Sequence, residues 1–429
     1  MKKYYLETYG CQMNEYDSHL VERLLNSRGL VRADKEEDAD LVILNTCSVR
    51  HKAEERALGR IRSITSNGHP RQVAVIGCMA QRMGDRLLDA NPNVRFVLGT
   101  TRFTQLAELV AEELDSPVVD TSGIDDQIEF PALEGRSSLS EYVTIMRGCN
   151  NFCTYCIVPH VRGRERCRAP ENIIAEVNQL EQSGVREIWL LGQNVNSYRH
   201  EQLDFVALLK MILQNTEVPR IRFLTSHPRD FSEELIEIMA SSDRICSGIH
   251  LPLQSGSNPV LKRMNRRYTI EDYAGKVELL KKMIPDVVLT TDIIVGFPGE
   301  TRFDFERTLE AVRKLEYDSA FMFRYSVRET TKAAGFKDDV PETEKLSRLE
   351  ELIETQKSIS EKRMASRVGS VQEVLIEKSA RHDEADGLGK NEGGLNCVVR
   401  QTAGSIGNLV KAKIVDSTYT TLIGERIRG

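Results

Sequence analysis

Residues 149–156 read CNNFCTYC and place Cys149, Cys153 and Cys156 on one short segment. The C-x-x-x-C-x-x-C spacing brings three thiolates to a single loop, where a metal centre would keep one coordination position open. A catalytic iron–sulfur cluster needs such an open position, whereas a structural zinc site is closed by four ligands. Zinc with a distant fourth ligand remains the alternative from spacing alone.

The segment follows the first of several strand-like runs that alternate with helix-like patterns. Strands are expected at residues 142–146, 187–191, 220–225, 245–251, 287–295 and 319–325. Helical periodicity fills the gaps, for example at 171–183, 204–213, 232–240, 270–283 and 302–315. Six strand–helix units predict a full or partial parallel barrel, whose chemistry lies at the carboxyl ends of the strands. The cysteine segment lies at that end of the first strand.

The same alternation is present upstream of the barrel. Strands are expected at residues 3–8, 40–44 and 72–76, and the pattern predicts a parallel sheet covered by helices. Cys11, Cys47 and Cys78 each follow one of these strands. Because the carboxyl ends of parallel strands share one edge of a sheet, the three cysteines are expected to meet there. They would form a second three-thiolate site, and three unrelated buried thiols are the alternative.

Two further regions complete the chain. Residues 119–138 carry five acidic groups and one basic group among Gly, Pro and Ser, which suits a linker. After a long charged helix at 342–366, strand-like runs at 371–377, 395–400, 409–415 and 420–426 alternate with glycines. They predict a small β-barrel, a common nucleic-acid platform, with a structural appendage as the alternative. The expected domains are residues 1–118, 139–368 and 369–429, joined by the linker at 119–138.

Composition limits the class of protein. The 429 residues are 40% hydrophobic and 28% charged with a net charge of −6, which excludes disordered and fibrous chains. Nine cysteines, an odd number, argue against a disulfide scaffold. No apolar run is long enough to cross a membrane, and charged residues interrupt the N-terminus before a signal-type core could form. A cytoplasmic protein without membrane attachment is therefore expected.

The segment at 149–156 resembles the radical S-adenosylmethionine (SAM) signature, including the aromatic Tyr155 before its last cysteine. Together with the N-terminal cysteines and the C-terminal β-domain, it makes nearly the whole chain resemble the radical SAM methylthiotransferases. That resemblance implies an α/β fold with an N-terminal parallel-sheet cluster domain and a partial (β/α)6 radical SAM barrel. It also implies that the small C-terminal β-barrel is a TRAM domain.

Flanking residues resemble the branch of this family that acts on isopentenyladenosine in tRNA. The matching stretches are residues 9–18, 44–50, 190–196, 225–228 and 251–257. The ribosomal-protein branch usually carries Pro-Lys after its first cysteine, where this chain has Gln12 and Met13. The resemblance implies that a methylthio group is added to carbon 2 of isopentenyladenosine at position 37 of tRNA, next to the anticodon. The alternatives are a branch acting on threonylcarbamoyl-adenosine or a ribosomal protein, and a non-catalytic iron–sulfur protein that binds RNA or transfers electrons.

The implied cofactors are two [4Fe–4S] clusters and SAM. One cluster would be held by the cysteines of residues 149–156, leave one iron open for SAM and deliver the electron that cleaves SAM to a radical. The other would be held by Cys11, Cys47 and Cys78 and carry the transferred sulfur, which makes all six cysteines the expected catalytic residues. The C–H bond at carbon 2 of adenine is not acidic, so a His or Glu base cannot open it and radical chemistry is needed. One SAM as methyl donor, one as radical source, and a flavodoxin- or ferredoxin-type electron donor are implied, and a monomer is expected.

Residues at the other strand ends are candidates for the SAM pocket, on the catalytic face of the barrel. They are Tyr155, Gly192, Gln193, Asn194, Ser226, Gln254, Val295 and Phe297. Tyr155 is expected to pack on the adenine, and Asp292 is a candidate polar contact. A turn or a helix cap is the alternative for each polar residue, and His227 and His250 are interpreted as structural.

Two basic runs lie near the expected barrel mouth. They are Arg162, Arg164, Arg166 and Arg168, and then Lys262, Arg263, Arg266 and Arg267. Either they contact RNA phosphates or they are solvated faces. The target base would have to leave its stack to reach the site. Cys167, Cys246 and Cys397 have no partner at a suitable spacing and are interpreted as bystanders.

Overall fold

The N-terminal domain is built on a parallel sheet. The computed structural model describes residues 2–49, 51–64, 71–112, 114–125 and 138–427. In this domain the described strands are β1 (Lys3–Thr8), β2 (Val31–Arg32), β3 (Leu41–Thr46), β4 (Gln72–Gly77), β5 (Val94–Leu98) and β6 (Val118–Asp120). They are hydrogen-bonded in the order β2-β1-β3-β4-β5-β6, and each neighbouring pair is parallel.

Helices cover both faces of this sheet. They are α1 (Gln12–Ser27), α2 (His51–Ser63), α3 (Cys78–Met83) and α4 (Leu106–Leu109). Alternate residues of β3 enter different apolar clusters: Ile43 packs with Leu20 of α1, whereas Val42 packs with Ile61 of α2. The unbroken aliphatic run at 41–44 is what a strand covered on both faces requires. The helices cover the two faces of the sheet, so its carboxyl edge stays open. The cysteines lie in the segments that follow the strands at this edge.

The sequence predicts β1, β3 and β4 but misses the other strands of the sheet. β2 and β6 are two and three residues long, which is too short to show the alternation of polar and apolar residues that marks a strand. β6 occupies Val118–Asp120, so the sheet extends into the stretch 119–138 that the sequence assigns to a linker. Residues 126–137 of that stretch lie outside the described residues.

The central domain is a partial barrel of parallel strands. Its strands, including four of two residues, are β7 (Ser140–Thr144), β8 (Met146–Arg147), β9 (Arg166–Cys167), β10 (Glu187–Leu191), β11 (Arg199–His200), β12 (Leu203–Asp204), β13 (Arg220–Phe223), β14 (Gly248–His250), β15 (Val288–Val295) and β16 (Ser319–Arg324). Two sheets, β7-β10-β13 and β14-β15-β16, are joined by a parallel bridge between Ile221 and Ile245. The six long strands therefore run in one direction around an open barrel, which confirms the predicted fold.

Helices pack around the outside of the barrel. They are α5 (Val158–Arg162), α6 (Pro170–Gln182), α7 (Phe205–Asn215), α8 (Glu233–Ser241), α9 (Asn258–Arg263), α10 (Ile270–Met283), α11 (Arg302–Leu315) and α12 (Glu342–Ala365). Capping boxes start α10 at Thr269 and α11 at Thr301, which satisfies the first backbone donors of both helices. Within the described part of the chain, no helix is both long and apolar enough to span a bilayer.

The C-terminal domain is a small closed β-barrel. Its strands are β17 (Val371–Ser379), β18 (Gly387–Asn391), β19 (Asn396–Arg400), β20 (Leu409–Ser417) and β21 (Thr421–Arg426), in the order β17-β18-β19-β21-β20. The barrel is as predicted, but the sequence misses β18 because its glycines suggest turns. In the structure these glycines allow close packing: a Cβ on Gly389 would lie 1.8 Å from the carbonyl oxygen of Leu375.

Two buried arginines of β13 attach this small barrel to the central domain. Arg220 donates to the carbonyl oxygens of Lys390 and Glu373, each at 2.8 Å. Arg222 donates to the carbonyl oxygens of Asn391 and Glu392 at 2.6 Å and to Glu187 at 2.7 Å. Because both guanidiniums are buried, these bonds set a fixed position for the C-terminal barrel below the amino ends of the central strands.

Replacing Arg222 with Ala should lower the free energy of unfolding by about 3–5 kcal/mol, because the buried carboxylate of Glu187 would lose its partner. Burial raises the pKa of Glu187, but the charge and hydrogen bond of Arg222 outweigh it and hold that pKa below its ordinary value. Chemical denaturation followed by circular dichroism measures the change.

The control is Arg400→Ala, which removes a pair with Glu425 in which both side chains are 56% exposed. That change should cost less than about 1 kcal/mol. Equal losses in the two variants would contradict the role assigned to Arg222.

Candidate active site

The segment with Cys149, Cys153 and Cys156 forms a loop between β8 and α5 whose backbone is fixed from two sides. Thr154 donates its N–H to the carbonyl oxygen of Met264 at 3.0 Å and accepts at its own carbonyl from Ala333 at 2.8 Å. Its hydroxyl donates to the carbonyl oxygen of Arg263 at 2.9 Å. The loop is therefore held rigidly at the carboxyl end of the barrel.

The three thiols of this loop lie within electrostatic reach of one another. Burial raises the pKa of Cys149 to about 11, and the negative charge of Cys153 adds to the rise. The pKa of Cys156 is raised by burial and then by the charges of Cys153 and Cys149. Arg266, itself buried, donates from Nη1 to the Cys153 sulfur at 3.3 Å. The loop thus gathers three sulfurs and one compensating positive charge.

The structure also brings Cys11, Cys47 and Cys78 together at the carboxyl edge of the N-terminal sheet. Cys11 directly precedes α1, Cys47 directly follows β3, and Cys78 directly follows β4. A Cβ on Gly10 would lie 3.0 Å from the Cβ of Cys47, so those two loops touch. Burial raises the pKa of Cys78, Arg162 opposes this rise, and the charge of Cys11 adds to it.

Among the described residues, no three Cys, His, Asp or Glu side chains are placed to share a single metal ion. An iron–sulfur cluster makes a different demand, because each thiolate binds a different iron of one larger body. Both trios fit that demand: one presents three sulfurs from a single loop beside the buried Arg266, and the other presents three sulfurs from neighbouring loops beside the buried Arg162.

The side chain of Asp17 joins the two trios across the domain interface. It is buried in α1, six residues after Cys11, and accepts from both Arg147 and Arg162. Arg147 lies two residues before Cys149, and the Arg162 Nη2 to Asp17 Oδ2 distance is 3.1 Å. Sequence reasoning misses Asp17. The apolar residues Met13, Tyr16 and Leu20 nevertheless indicate that the face of α1 carrying it is buried.

Apolar and backbone contacts complete the same interface. Cys78 packs against Ile157 and Val161 of the segment that follows Cys156. The hydroxyl of Thr100 donates to the carbonyl oxygen of Val161 at 2.6 Å. The second trio therefore lies directly against the helix that leaves the first.

A cavity of about 590 Å³ opens where the three domains meet. Gln12, next to Cys11, contributes from the N-terminal domain. Tyr142, Trp189 and Leu224 contribute from the central strands, and Glu377, Lys390 and Ile406 from the C-terminal barrel. All three domains thus border one space beside the second trio.

The predicted SAM residues lie at the strand ends as expected, but they make different kinds of contact. Gly192 leaves space for Met146, since a Cβ there would lie 2.5 Å from the Met146 Cγ. Gln193 accepts from the backbone N–H of Gly148, next to Cys149. Asn194 is bound on both sides, donating to Asp230 at 2.7 Å and accepting from the His227 N–H at 3.1 Å. These residues shape the loop around the first trio.

Gln254 is the candidate with an unmet hydrogen-bonding group. Its backbone bridges Asp292 and Ile294 at 2.8 and 2.9 Å, with a positive φ of 70°. Its Oε1 is buried and has no donor among the described residues. A buried acceptor of this kind fits a polar ligand at the strand end. Ser226 is also buried, at the end of β13.

Tyr155, Val295 and Phe297 contribute apolar surface. Val295 and Phe297 are fully buried. Tyr155 is half-buried, with its ring 6.4 Å from that of Phe297 in an edge-to-face arrangement. Its packing on an adenine stays a prediction.

The two histidines are held by protein contacts. His227 accepts at Nδ1 from the Arg229 N–H at 3.2 Å, and burial together with nearby Arg266 lowers its pKa to about 2. His250 lies 3.3 Å from Asp292 and 3.0 Å from the hydroxyl of Thr290. The neutral His227 agrees with a structural role.

The structure corrects the interpretation of the two basic runs. Arg162 and Arg266 are buried against the cysteine trios, and Arg168 pairs with Glu176 at 2.6 Å. Arg166 pairs with Asp125 at 3.2 Å. Four of the eight side chains thus contact partners within the protein, and three of these partners are distant in sequence. The exposed members are Arg164, Lys262, Arg263 and Arg267.

Comparisons with known proteins show the class of enzyme to which the chain belongs. Residues 143–312 match the radical SAM superfamily, residues 3–99 match uncharacterized protein family UPF0004, and residues 365–427 match the TRAM domain. The radical SAM methyltransferase TsrM from Kitasatospora setae, solved with cobalamin and a [4Fe–4S] cluster, has a similar fold. The TM-score is 0.59 at 14% identity, covering 78% of this chain and 77% of that one. The protein is a radical SAM enzyme.

Full-length relatives then define the family. The chain is 43% identical to the tRNA-2-methylthio-N(6)-dimethylallyladenosine synthase of Clostridium botulinum strain Langeland, over 99% of this chain and 97% of the relative. It is also 43% identical to the enzyme of that name from Carboxydothermus hydrogenoformans, over 99% of each chain. The chain belongs to this family of radical SAM methylthiotransferases, which use SAM and [4Fe–4S] clusters.

Replacing Arg266 with Met should lower the midpoint potential of a cluster held by the loop at 149–156, because the reduced and more negative cluster would lose the charge of a guanidinium that donates to the Cys153 sulfur. The expected fall is several tens of millivolts, at roughly 60 mV for each 1.4 kcal/mol lost by the reduced state. A redox titration followed by electron paramagnetic resonance measures it.

Arg267→Met is the matched control, because this neighbouring arginine is exposed and the sulfur contact belongs to Arg266. An unchanged potential in the Arg266 variant, with normal iron content, would refute a charge-compensating role.

Proposed function

We propose that this protein adds a methylthio group to carbon 2 of isopentenyladenosine at position 37 of tRNA. The observation that carries the proposal is the pairing of two cysteine trios across one buried interface, through Asp17, Arg147 and Arg162. Identity of 43% over 99% of the chain to enzymes named for this reaction supports it.

The proposed division of labour follows three domains. Residues 1–118 present the sulfur-carrying site, residues 139–368 generate the reactive species, and residues 369–429 contribute to tRNA binding. The linker assigned to 119–138 begins only after β6, which ends at Asp120. Arg220 and Arg222 support this division, because they tie the TRAM barrel to the barrel wall and so fix where bound RNA would lie.

Cys149, Cys153 and Cys156 would hold one [4Fe–4S] cluster, and Cys11, Cys47 and Cys78 the other. When bound, the clusters and SAM supply the one-electron chemistry that an unactivated C–H bond requires. Three protein ligands in each site leave one iron position for a non-protein ligand. Arg266 and Arg162 offset the negative charge of the two sites inside a buried environment.

The remaining candidate residues would position SAM. Gln254 offers its unmet Oε1 to a donor such as the amino group of SAM. Tyr155 offers an aromatic edge beside Phe297 for the adenine. Gly192, Gln193, Asn194, Ser226 and Val295 shape the surrounding strand ends, so their contributions come from backbone geometry and loop position.

Three further features belong to the proposal. A reductant of low potential, of the flavodoxin or ferredoxin type, would supply electrons, since the reaction consumes them. A monomer holds all six cysteines in one chain and needs no second copy to complete either site. A cytoplasmic location suits an enzyme that acts on tRNA.

The test uses anaerobically reconstituted protein with SAM, dithionite and tRNA that carries or lacks the isopentenyl group. Nucleosides are then analysed by mass spectrometry. Methylthio product from isopentenylated tRNA alone is expected. SAM cleavage without such a product would reject this substrate, and the absence of any SAM cleavage would reject the radical reaction.

Replacing Cys11, Cys47 and Cys78 together with Ala should abolish the methylthio product and remove about half of the bound iron. Reductive cleavage of SAM should persist, because the other trio is unchanged. Iron content, 5′-deoxyadenosine and modified nucleoside are measured on the same preparation.

Cys167→Ala is the control, since Cys167 lies outside both trios and accepts a hydrogen bond from the Arg199 N–H at 3.3 Å. It should retain iron and product. Loss of SAM cleavage in a folded triple variant that keeps its other cluster would refute the proposed division between the two sites.

A further inference from the structure

Three exposed cations lie beside the cysteine loop at 149–156, and we call them the loop patch. They are Arg164, Lys262 and Arg267. In the part of the chain that the structure describes, none of the three lies within ion-pair distance of a carboxylate. The neighbouring Arg263 is turned away and donates to the carbonyl oxygen of Pro298 at 3.0 Å. Surface cations that the fold does not pair are available to a charged partner.

Direct contacts attach the loop patch to the cysteine loop. The guanidinium carbon of Arg164 lies 4.3 Å from the centre of the Phe152 ring. The side-chain amide of Asn265 donates to the carbonyl oxygen of Phe152 at 3.0 Å, and its backbone N–H donates to that of Lys262 at 3.1 Å. Arg267 Nε lies 3.5 Å from Asn265 Oδ1. The three cations are therefore held in position around Phe152.

The backbone at this contact is strained. Phe152, Asn265 and Arg267 have positive φ values of 48°, 59° and 57°, in the left-handed region that residues other than glycine seldom adopt. Strain of this kind costs free energy and is concentrated at functional sites. The strained turn leaves the side chain of Phe152 half-buried, one residue before Cys153.

Carboxylates near the loop patch do not cancel its charge. Asp125 is paired with Arg166 at 3.2 Å, and Asp230 is paired with Arg229 at 2.7 Å. Glu165 also lies beside the cysteine loop, where it accepts a backbone N–H at 3.0 Å. The patch keeps an excess of positive charge over this one acid, although the whole chain has a net charge of −6.

The loop patch lies apart from the surfaces that bind RNA in the proposed function. None of its residues is among the described residues that line the cavity where the three domains meet. Arg220 and Arg222 hold the TRAM barrel at the beginning of β13, and so at the amino ends of the strands. The cysteine loop lies at their carboxyl ends. RNA on the TRAM barrel and in the cavity therefore leaves the patch accessible.

The site formed by the cysteine loop needs an electron from outside the protein. Cys149 and Cys153 are buried, and Tyr155 packs inward against Phe297. Asn150, directly after Cys149, is exposed. Because electron transfer weakens steeply with distance, an electron enters best where the cluster ligands come closest to the surface. The loop patch borders such a place.

We propose that the loop patch is the docking surface of an acidic one-electron carrier protein of low potential. The inference rests on the proposed function, which requires such a reductant, and names the surface that receives it. Carboxylates of the carrier pair with the three cations, and Phe152 lies at the centre of the contact. The carrier loses one electron and the site on Cys149, Cys153 and Cys156 gains it, with no exchange of atoms. Charged surfaces of this kind give fast association and a weak, transient complex.

The test measures binding of a purified acidic flavodoxin, and of a purified acidic ferredoxin, to the anaerobically reconstituted full chain by isothermal titration calorimetry at low ionic strength. At least one of them should bind, and added salt should weaken the complex. The triple variant Arg164→Glu, Lys262→Glu, Arg267→Glu should raise the Kd at least about tenfold, because three attractions become repulsions. Cleavage of SAM driven by that carrier should fall in parallel. Cleavage driven by dithionite, a small molecule that needs no docking surface, should persist.

The matched control is the triple variant Lys210→Glu, Lys282→Glu, Arg313→Glu. It makes the same change in net charge at exposed positions on α7, α10 and α11. The Kd for the carrier should stay within about twofold of the wild-type value. Equal weakening in the two triple variants would show that net charge alone governs binding, and would overturn the inference.

A second variant covers the case in which the first does not fold. Lys262→Glu, Arg267→Glu leaves the contact between Arg164 and Phe152 intact. It should raise the Kd at least about threefold, since two of the three cations are reversed. An unchanged Kd in this folded double variant would overturn the inference as well.

RNA is the competing occupant of the loop patch. The affinity of the triple variant for unmodified tRNA should equal that of the wild type. Loss of tRNA affinity with unchanged affinity for the carrier would overturn the inference and assign the patch to RNA phosphates.

The proposed function fails by a different result. It falls if the wild type with dithionite forms no methylthio nucleoside from isopentenylated tRNA, whatever its affinity for the carrier. If the wild type forms that product but binds neither flavodoxin nor ferredoxin, the proposed function stands and the docking surface is refuted.

Discussion

The carboxylate of Asp17 is the contact on which the arrangement of this enzyme depends. It lies on the helix that begins after Cys11, and it accepts from the arginines that precede Cys149 and follow Cys156. A buried guanidinium is costly unless anionic groups offset its charge. Beside Arg162 lies the Cys78 sulfur: burial raises the pKa of this thiol and the charge of Arg162 opposes the rise, so a metal-bound thiolate here would be one such anion. The charge balance of the interface is thus tied to the second cysteine trio.

The TRAM barrel is attached to the central domain by buried arginines as well. Arg220 and Arg222 are buried and bind backbone oxygens of the small barrel, so the attachment depends on its chain path rather than on its side chains. Buried guanidiniums with several acceptors give fixed geometry. All three domains border one cavity of about 590 Å³, which suits an enzyme that must hold a large RNA around one base.

The sequence predicts the parts of this site that depend on local pattern. Cys47 could be placed because the aliphatic run at 41–44 marks a buried strand immediately before it, and the same holds for the other cysteines. β18 could not be predicted, since Gly387 and Gly389 suggest turns and their close packing against Ile376 follows only from the closed barrel. For Arg162 the sequence leaves an RNA contact or a solvated face open, and its buried position could not be predicted because its partner Asp17 is in another domain. Asp17 could be recognised from the sequence as one half of a buried ion pair, because a carboxylate on the buried face of a helix requires a cationic partner.

The most direct test of the central claim is the ratio of methylthio nucleoside to 5′-deoxyadenosine in Asp17→Asn, with Glu22→Gln on the same helix as control. Asn keeps the shape of the side chain but removes the charge that links the two sites. The iron content and SAM cleavage should persist, and the ratio should fall at least tenfold, since about 1.4 kcal/mol of lost positioning already gives that factor. A ratio equal to that of the wild type, in a variant that binds iron normally, would contradict the claim that Asp17 holds the two sites in position relative to each other.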